Sequence, residues 1–277
     1  MTRAPGSQDM IEYQLGVIGV GHMGEALLRG VLEAQCLPHN AIVAYDPVRK
    51  REQVLAMEFG ILCAENNTIP GSCPHVLLAV KPQVMPEVLE EIQPVVREDA
   101  AVISIAAGIP TAFIDERLGG KGHIVRVMPN TPMTVGAGVA AVARGPRATP
   151  EDVHWTQRLF ASSGIAVVMD ESMMDAVTGL SGTGPAYLFY LVEAMVAAAV
   201  AEGMDPDVAE MLATQTCIGA GKLLSQTKER PEELRAAVAT PGGTTERAMN
   251  ILDDAGVKNR IIDAVRGATE RSRELGK

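Results

Sequence analysis

"LGVIGVGHMGEALLRG", residues 15 to 30, decides how the rest of this chain is read. A β-branched run gives way to a stretch of helical period, and Gly19, Gly21 and Gly24 stand at the change in G-x-G-x-x-G spacing. A glycine triplet alone is weak evidence, but directly after a first strand and at the opening of a helix it is a dinucleotide fingerprint. The first Gly permits a tight turn, the second lets a pyrophosphate approach the backbone, and the third lets helix and strand pack closely. The helix start then offers free N–H groups and a partial positive charge to phosphates. His22 inside the loop is read as shielding phosphate rather than transferring protons, and Met23 beside it is taken as a further cofactor contact.

Asp46 closes the next β-branched run, 22 residues after Gly24, where an acid accepts hydrogen bonds from the adenine ribose hydroxyls. A carboxylate facing a 2'-phosphate is repelled, so Asp46 favours NADH. Arg49, Lys50 and Arg51 follow it and are placed to reach such a phosphate, or else form only a solvated helix start. NADPH and NADH both stay open at this point.

Outward from the loop, short β-branched runs alternate with helical segments, the pattern of βαβ units around a parallel sheet. Seven strands are expected, at 15 to 19, 41 to 46, 75 to 80, 101 to 106, 123 to 128, 138 to 143 and 165 to 169. After Asp170 the β-branched runs stop and Ala/Met/Leu/Glu-rich segments take over, with helices expected at 171 to 181, 185 to 203, 206 to 226, 231 to 239, 242 to 255 and 257 to 275. The fold class is therefore α/β, a Rossmann-type doubly wound sheet over residues 1 to 170 followed by an all-helical domain over 171 to 277. The segments 185 to 203 and 206 to 226 are apolar around much of their circumference, which points to a subunit interface.

Composition narrows the class of function. The 34 acids against 24 Lys and Arg give a net charge of -10, no field for a nucleic acid. Cys36, Cys63, Cys73 and Cys217 show no metal-ligand or disulfide spacing, so no metal is assigned and a reducing compartment is expected. The most apolar stretch, 186 to 201, carries Glu193 and falls short of the roughly 18 to 20 residues that span a bilayer. The polar N-terminus lacks the apolar core of a signal peptide, and a cytoplasmic protein is expected.

Further motifs follow in order: "AVKPQ" (79 to 83), "SIAAGI" (104 to 109), "RVMPNTP" (126 to 132), "DAVTGLSGTGPAY" (175 to 187) and "TPGGTT" (240 to 245). Together they resemble the pyrroline-5-carboxylate reductases, from Gly16 to about Leu275. The resemblance implies a Rossmann domain, a helical domain that pairs with a second subunit, a homodimer as building block and a larger ring such as a decamer. It also implies NADPH or NADH as cofactor, a cyclic imine as substrate and L-proline as product. Two departures stand out. Asp46 occupies a position where similar NADPH-preferring enzymes carry a small hydroxyl residue, and Thr183 stands where Ser is commoner.

A cyclic imine accepts hydride readily only when its nitrogen is protonated or strongly hydrogen-bonded, so the site needs a donor there, a place for a carboxylate, and a wall that holds the nicotinamide. In "TPGGTT", Thr240 is read as an N-cap, Pro241 as the first helical residue, and Gly242 and Gly243 as leaving N–H groups uncovered for the substrate carboxylate. Thr244 is counted with them. By the resemblance, Thr245 hydrogen-bonds the imine nitrogen. Thr183 and Gly184, before Pro185, repeat the design at a second helix start. "AVKPQ" ends a strand at the edge where ligands of doubly wound folds bind, so Ala79 and Lys81 line the nicotinamide and phosphate path. Asn66, Val80, Pro82, Ala106 and Ala107 are assigned to the cofactor as well, and Asn130 either orients nicotinamide or stabilises a turn.

Two rival readings compete. The β-hydroxyacid dehydrogenases join similar domains and use a lysine in a helical G-x-x-x-K-x-x-N pattern. "CIGAGKLLSQ" offers Lys222, but Ser225 stands where the Asn belongs. A non-enzymatic NAD(P)H sensor would have no need of a substrate carboxylate loop.

Overall fold

The structure, a computed structural model, describes residues 13 to 276. The N-terminal stretch read for a signal peptide lies almost wholly outside the described residues. Eight strands form one sheet: β1 Leu15–Ile18, β2 Ile42–Tyr45, β3 Leu62–Cys63, β4 His75–Leu78, β5 Ala101–Ser104, β6 His123–Met128, β7 Gly138–Arg144 and β8 Gly164–Val168. Their order is β3-β2-β1-β4-β5-β6-β7-β8. All seven expected strands are present. The eighth, β3, is two residues long, too short to show a period of its own.

The pairing departs from a wholly parallel sheet. β1 to β6 are parallel, β7 runs antiparallel to β6, and β8 is parallel to β7. The link from β6 to β7, residues 129 to 137, holds a single 3-10 segment, Thr131–Val135. A parallel crossover needs about a dozen residues or more, so this short link can only return the chain as an antiparallel neighbour.

Helices α1 His22–Glu33, α2 Arg49–Phe59, α3 Thr68–Gly71, α4 Met85–Ile92, α5 Thr111–Arg117 and α6 Pro150–Ala161 cover the sheet. One face buries Val17, Leu77, Ile103 and Val125 against α1 and α6, and the other buries Ile18, Val76, Val102 and Ile124 against α4 and α5. In α1 the buried set Leu27, Leu28 and Val31 falls at helical spacing, which sets the face it turns to the sheet. Thr149 and Asp152 close a reciprocal capping box at the start of α6.

The expected helix at 171 to 181 breaks into a 3-10 turn at Glu171–Met173, α7 at Met174–Val177 and a π-helical stretch at Thr178–Gly182. Then come α8 Gly184–Ala201, α9 Pro206–Gln226, α10 Pro231–Val238, α11 Thr244–Asp254 and α12 Val257–Leu275. By compactness the chain divides after Gly182, and the first unit takes the chain back from Thr269. The physical cause is local: Thr269 and Ser272 are the buried residues of α12, and the Ser272 hydroxyl donates to Asp175 Oδ1 at 2.7 Å.

Within the second unit α8 packs on α9. The turn between them uses Gly203 at φ +92, and Asp205 caps α9 by accepting from the N–H groups of Asp207 and Val208. None of the residues of α8 is buried, although Leu188, Phe189, Tyr190 and Leu191 are all large and apolar.

Candidate functional site

β1 to β6 are parallel, so the loops that follow them all lie along the carboxyl edge of the sheet, the crevice side of a doubly wound fold. That edge gathers Gly19 to Gly24, Asp46, Arg49, Asn66, Ala79 to Pro82, Ala106, Ala107 and Asn130. Gly19 has φ +93, and a Cβ there would lie 2.8 Å from the Ala79 carbonyl oxygen. On Gly24 a Cβ would lie 2.4 Å from the Gly19 carbonyl oxygen. At Gly21 the nearest atom is Arg51 Nη1 at 4.0 Å, so the backbone there is open to close approach. Glu25 N–H is the first in α1 to bond back, to Gly21 O at 2.9 Å, which leaves the N–H groups of His22, Met23 and Gly24 as free helix-start donors. Such a cradle fits a pyrophosphate.

Asp46 sits directly under the glycine loop. It is 4% exposed, its Oδ2 accepts from Val20 N–H at 2.7 Å and its Oδ1 from Val48 N–H at 2.8 Å. The carboxylate therefore braces the glycine loop through two backbone N–H groups. Arg51 Nη1 stands 3.7 Å from Asp46 Oδ2 and is half exposed, beside Gly21. Arg49 is tied to Glu52 and to the Ala64 carbonyl, while the Asn66 Oδ1 accepts from Thr68 N–H and hydroxyl. Glu52, not singled out from the sequence, is wholly buried and its Oε2 accepts from Asp46 N–H at 3.0 Å. The only sequence sign of it is an acid in the first turn of α2. Burial pushes the nearby Cys63 thiol above its ordinary range, so it stays protonated.

Ala79 and Val80 are half-buried against Gly19, and Lys81 projects into solvent. Ala106 is buried, its N–H donating to Ser104 Oγ at 3.3 Å. Asn130 resolves into a structural clamp: its Oδ1 accepts from Val139 N–H at 2.9 Å and its Nδ2 donates to the Ser181 carbonyl at 3.1 Å. Both ends of its amide are thus engaged with backbone, which fits the turn-stabilising alternative.

In the second unit, "TPGGTT" corrects a local expectation. Gly243 N–H bonds to Thr240 O at 2.9 Å and Gly242 has φ +74. Thr240 to Gly243 is therefore a turn with Pro second and a left-handed Gly third, the type II pattern, and a residue at that φ cannot be helical. Thr240 is not the N-cap and Pro241 is not the first helical residue. Helix α11 begins at Thr244 with Gly243 as cap. The Gly242 N–H is also covered, by Glu246 Oε2 at 2.8 Å. The uncovered donors move on to Thr244, Thr245 and Glu246, since Arg247 N–H is the first to bond back, to Gly243 O. Thr245 is half-buried there. Thr183 stands at the N-cap position of α8, and Gly184 and Pro185 form its first turn. Lys222 is exposed, and the Ser225 hydroxyl donates to its carbonyl.

The sheet with its glycine loop, followed by a helical unit, defines an NAD(P)-dependent oxidoreductase of the kind that joins a Rossmann unit to a helical one. Comparison with known proteins narrows the class. Residues 171–275 match the family described as pyrroline-5-carboxylate reductase dimerisation, and residues 14–108 match the NADP oxidoreductases described as coenzyme F420-dependent. The chain is 40% identical to the pyrroline-5-carboxylate reductase of Methanosarcina acetivorans, over 97% of this chain and all of the relative. To that of Escherichia coli it is 38% identical, over 96% of this chain and all of the relative. A pyrroline-5-carboxylate reductase structure from Coxiella burnetii superposes with a TM-score of 0.90 at 30% identity, covering 96% of this chain and 99% of that one. The Plasmodium falciparum pyrroline carboxylate reductase with NADP bound gives 0.86 at 29% identity, covering 97% and 100%. This chain belongs to the pyrroline-5-carboxylate reductase family.

Proposed function

We propose that this chain reduces 1-pyrroline-5-carboxylate to L-proline with NADPH as the preferred reductant, and that Thr245 donates the hydrogen bond to the ring nitrogen. The reaction follows from family membership. NADPH, when bound, supplies the hydride. The imine carbon gains hydride, the C=N π pair moves onto nitrogen, and protons from solvent leave nitrogen as a protonated secondary amine. A hydroxyl held against that nitrogen stabilises the charge that shifts onto it.

The substrate reading rests on one observation, the start of α11. There the N–H groups of Thr244, Thr245 and Glu246 precede the first intrahelical bond, beside the half-buried Thr245 hydroxyl. Those donors suit the substrate carboxylate. The Glu246 carboxylate at the same end offsets part of the helix field, so direct N–H bonds carry the recognition. On the cofactor side, Asp46 is engaged by two backbone donors and by Arg51, and Arg51, half exposed, keeps the rest of its guanidinium open to solvent beside Gly21. That arrangement favours a 2'-phosphate over a ribose hydroxyl.

The exposed apolar side chains of α8 and α9 are read as the face that meets a second copy, giving a dimer in the cytoplasm that is the unit of any larger ring. The helical run Glu171–Ala201 reaches a mean hydropathy of 1.5 and is long enough to cross a membrane. It lies within the family's dimerisation segment, and we read it as subunit interface.

The test is oxidation of NADPH and NADH at 340 nm with and without 1-pyrroline-5-carboxylate, with proline identified as product. Imine-dependent turnover with kcat/KM favouring NADPH is expected. In Arg51→Ala that preference should fall by about tenfold, one lost charge contact of ~1.4 kcal/mol. An unchanged ratio would shift the phosphate contact elsewhere.

A further inference from the structure

α12 is exposed along most of its length, including Ile261 and Ile262, and buries only Thr269 and Ser272, three residues apart on one stripe. That stripe faces α7, where Ser272 donates to Asp175. Its last residues then meet the loop after β5 backbone to backbone. A Cβ on Gly108 would lie 3.0 Å from Leu275 Cβ, and a Cβ on Gly276 would lie 2.6 Å from the Gly108 carbonyl oxygen. Gly108 itself has φ +76. The loop is held at its other side by Thr111, whose N–H donates to Glu171 Oε1 at 2.8 Å, and Glu171 is paired with buried Arg126 at 3.2 Å. Glu171 and Asp175 lie one helical turn apart, so the two contacts anchor to the same short segment.

We infer that the end of α12 with the residue after it, from Ser272 to Gly276, is a positioning element for the cofactor loop Ile105–Ile109. It sets the backbone of Gly108 and so the height of Ala106 and Ala107 over the carboxyl edge. The loop continues β5, whose neighbour β4 carries Ala79 against Gly19: Ile105 N–H bonds to Leu78 O at 3.1 Å. A shift of Gly108 therefore reaches the dinucleotide crevice through two residues of chain. The inference rests on the reading of Ala106 and Ala107 as cofactor contacts.

The experiment measures NADPH dissociation by fluorescence titration, and KM for the imine, in the full chain, in a chain ending at Glu274, in Gly276→Val, in Ser272→Ala and Ser272→Thr, and in Ala107→Leu. The truncated chain and Gly276→Val should bind NADPH about fivefold more weakly (~1 kcal/mol) with imine KM little changed. Ser272→Ala should show a smaller loss in the same direction, which Ser272→Thr restores because the hydroxyl is kept. A merely structural role would instead lower the melting temperature and move both constants together, and that result overturns the inference. So does NADPH affinity unchanged in both the truncated chain and Gly276→Val while Ala107→Leu weakens it. If Ala107→Leu leaves NADPH affinity intact, the loop is not a cofactor contact and the reading beneath the inference falls instead, taking the inference with it.

Discussion

A Cβ added to Gly24 would lie 2.4 Å from the Gly19 carbonyl oxygen, whereas one added to Gly242 or Gly184 meets no atom within 4 Å. The same contrast holds for the apolar residues. The sheet unit buries Leu15, Leu28, Leu77 and Phe160 completely, while in α8 Phe189 is 68% and Tyr190 75% exposed. In the sheet unit the chain's own packing explains each choice of residue. In the helical unit it does not, and those residues are the ones proposed above to contact a second copy and a substrate. Glycines and large apolar side chains therefore have to be read against burial before they are assigned a role.

The contrast can be broken most directly at α8. Phe189→Asp should weaken self-association by on the order of 1,000-fold or more, because each of two copies loses an apolar contact of about 2 kcal/mol. Sedimentation across a concentration series measures it. A variant that associates like the parent would mean that α8 is not the dimer face.

Next in size is the substrate end. Thr245→Ala should lower kcat ten- to hundredfold, a lost donor bond of about 1.5 to 3 kcal/mol, with NADPH affinity retained. Steady-state kinetics decide it, and an unchanged kcat removes Thr245 from the mechanism. The glycines sharpen the comparison further. Gly24→Ala should destabilise the fold by about 1 to 3 kcal/mol through overpacking. In Gly184→Ala the added methyl meets open space, so the melting temperature should hold while imine KM rises. Equal melting shifts in the two variants would erase the distinction drawn here.

The smallest expected effect lies at the amino edge of the sheet. His75 stacks on Trp155 with ring centroids 3.6 Å apart, and burial holds its pKa below the ordinary 6.5. The folded state then binds fewer protons than the unfolded one, so this stability is fully present above pH 6.5 and is lost as the pH falls through the window beneath it. His75→Phe should flatten the fall in melting temperature between neutral and mildly acid pH. A slope identical to the parent's would show that His75 does not titrate in that window.

Much of this was legible beforehand because it depends on local period. β-branched runs marked seven strands, Ala- and Leu-rich segments marked α8, α9 and α12, and the spacing of Gly19, Gly21 and Gly24 marked a phosphate cradle. The misses have causes that local period does not carry: element length, link length and where a polar group points. A two-residue β3 has no period to read. The direction of β7 is decided by how short a link returns the chain. Asp46 and Asn130 occupy positions suited to ligand contacts, yet both spend their polar atoms on backbone.

By itself the sequence determined seven of the eight strands, the long helices α8, α9 and α12, the glycine loop and the family, because these follow from residue type at fixed spacing. The tertiary structure alone decided that Asp46 braces the glycine loop, that "TPGG" is a turn rather than a helix start, and that the end of α12 returns to the loop after β5. Hydrogen-bond direction and backbone φ depend on groups brought together from distant parts of the chain. No local pattern encodes them.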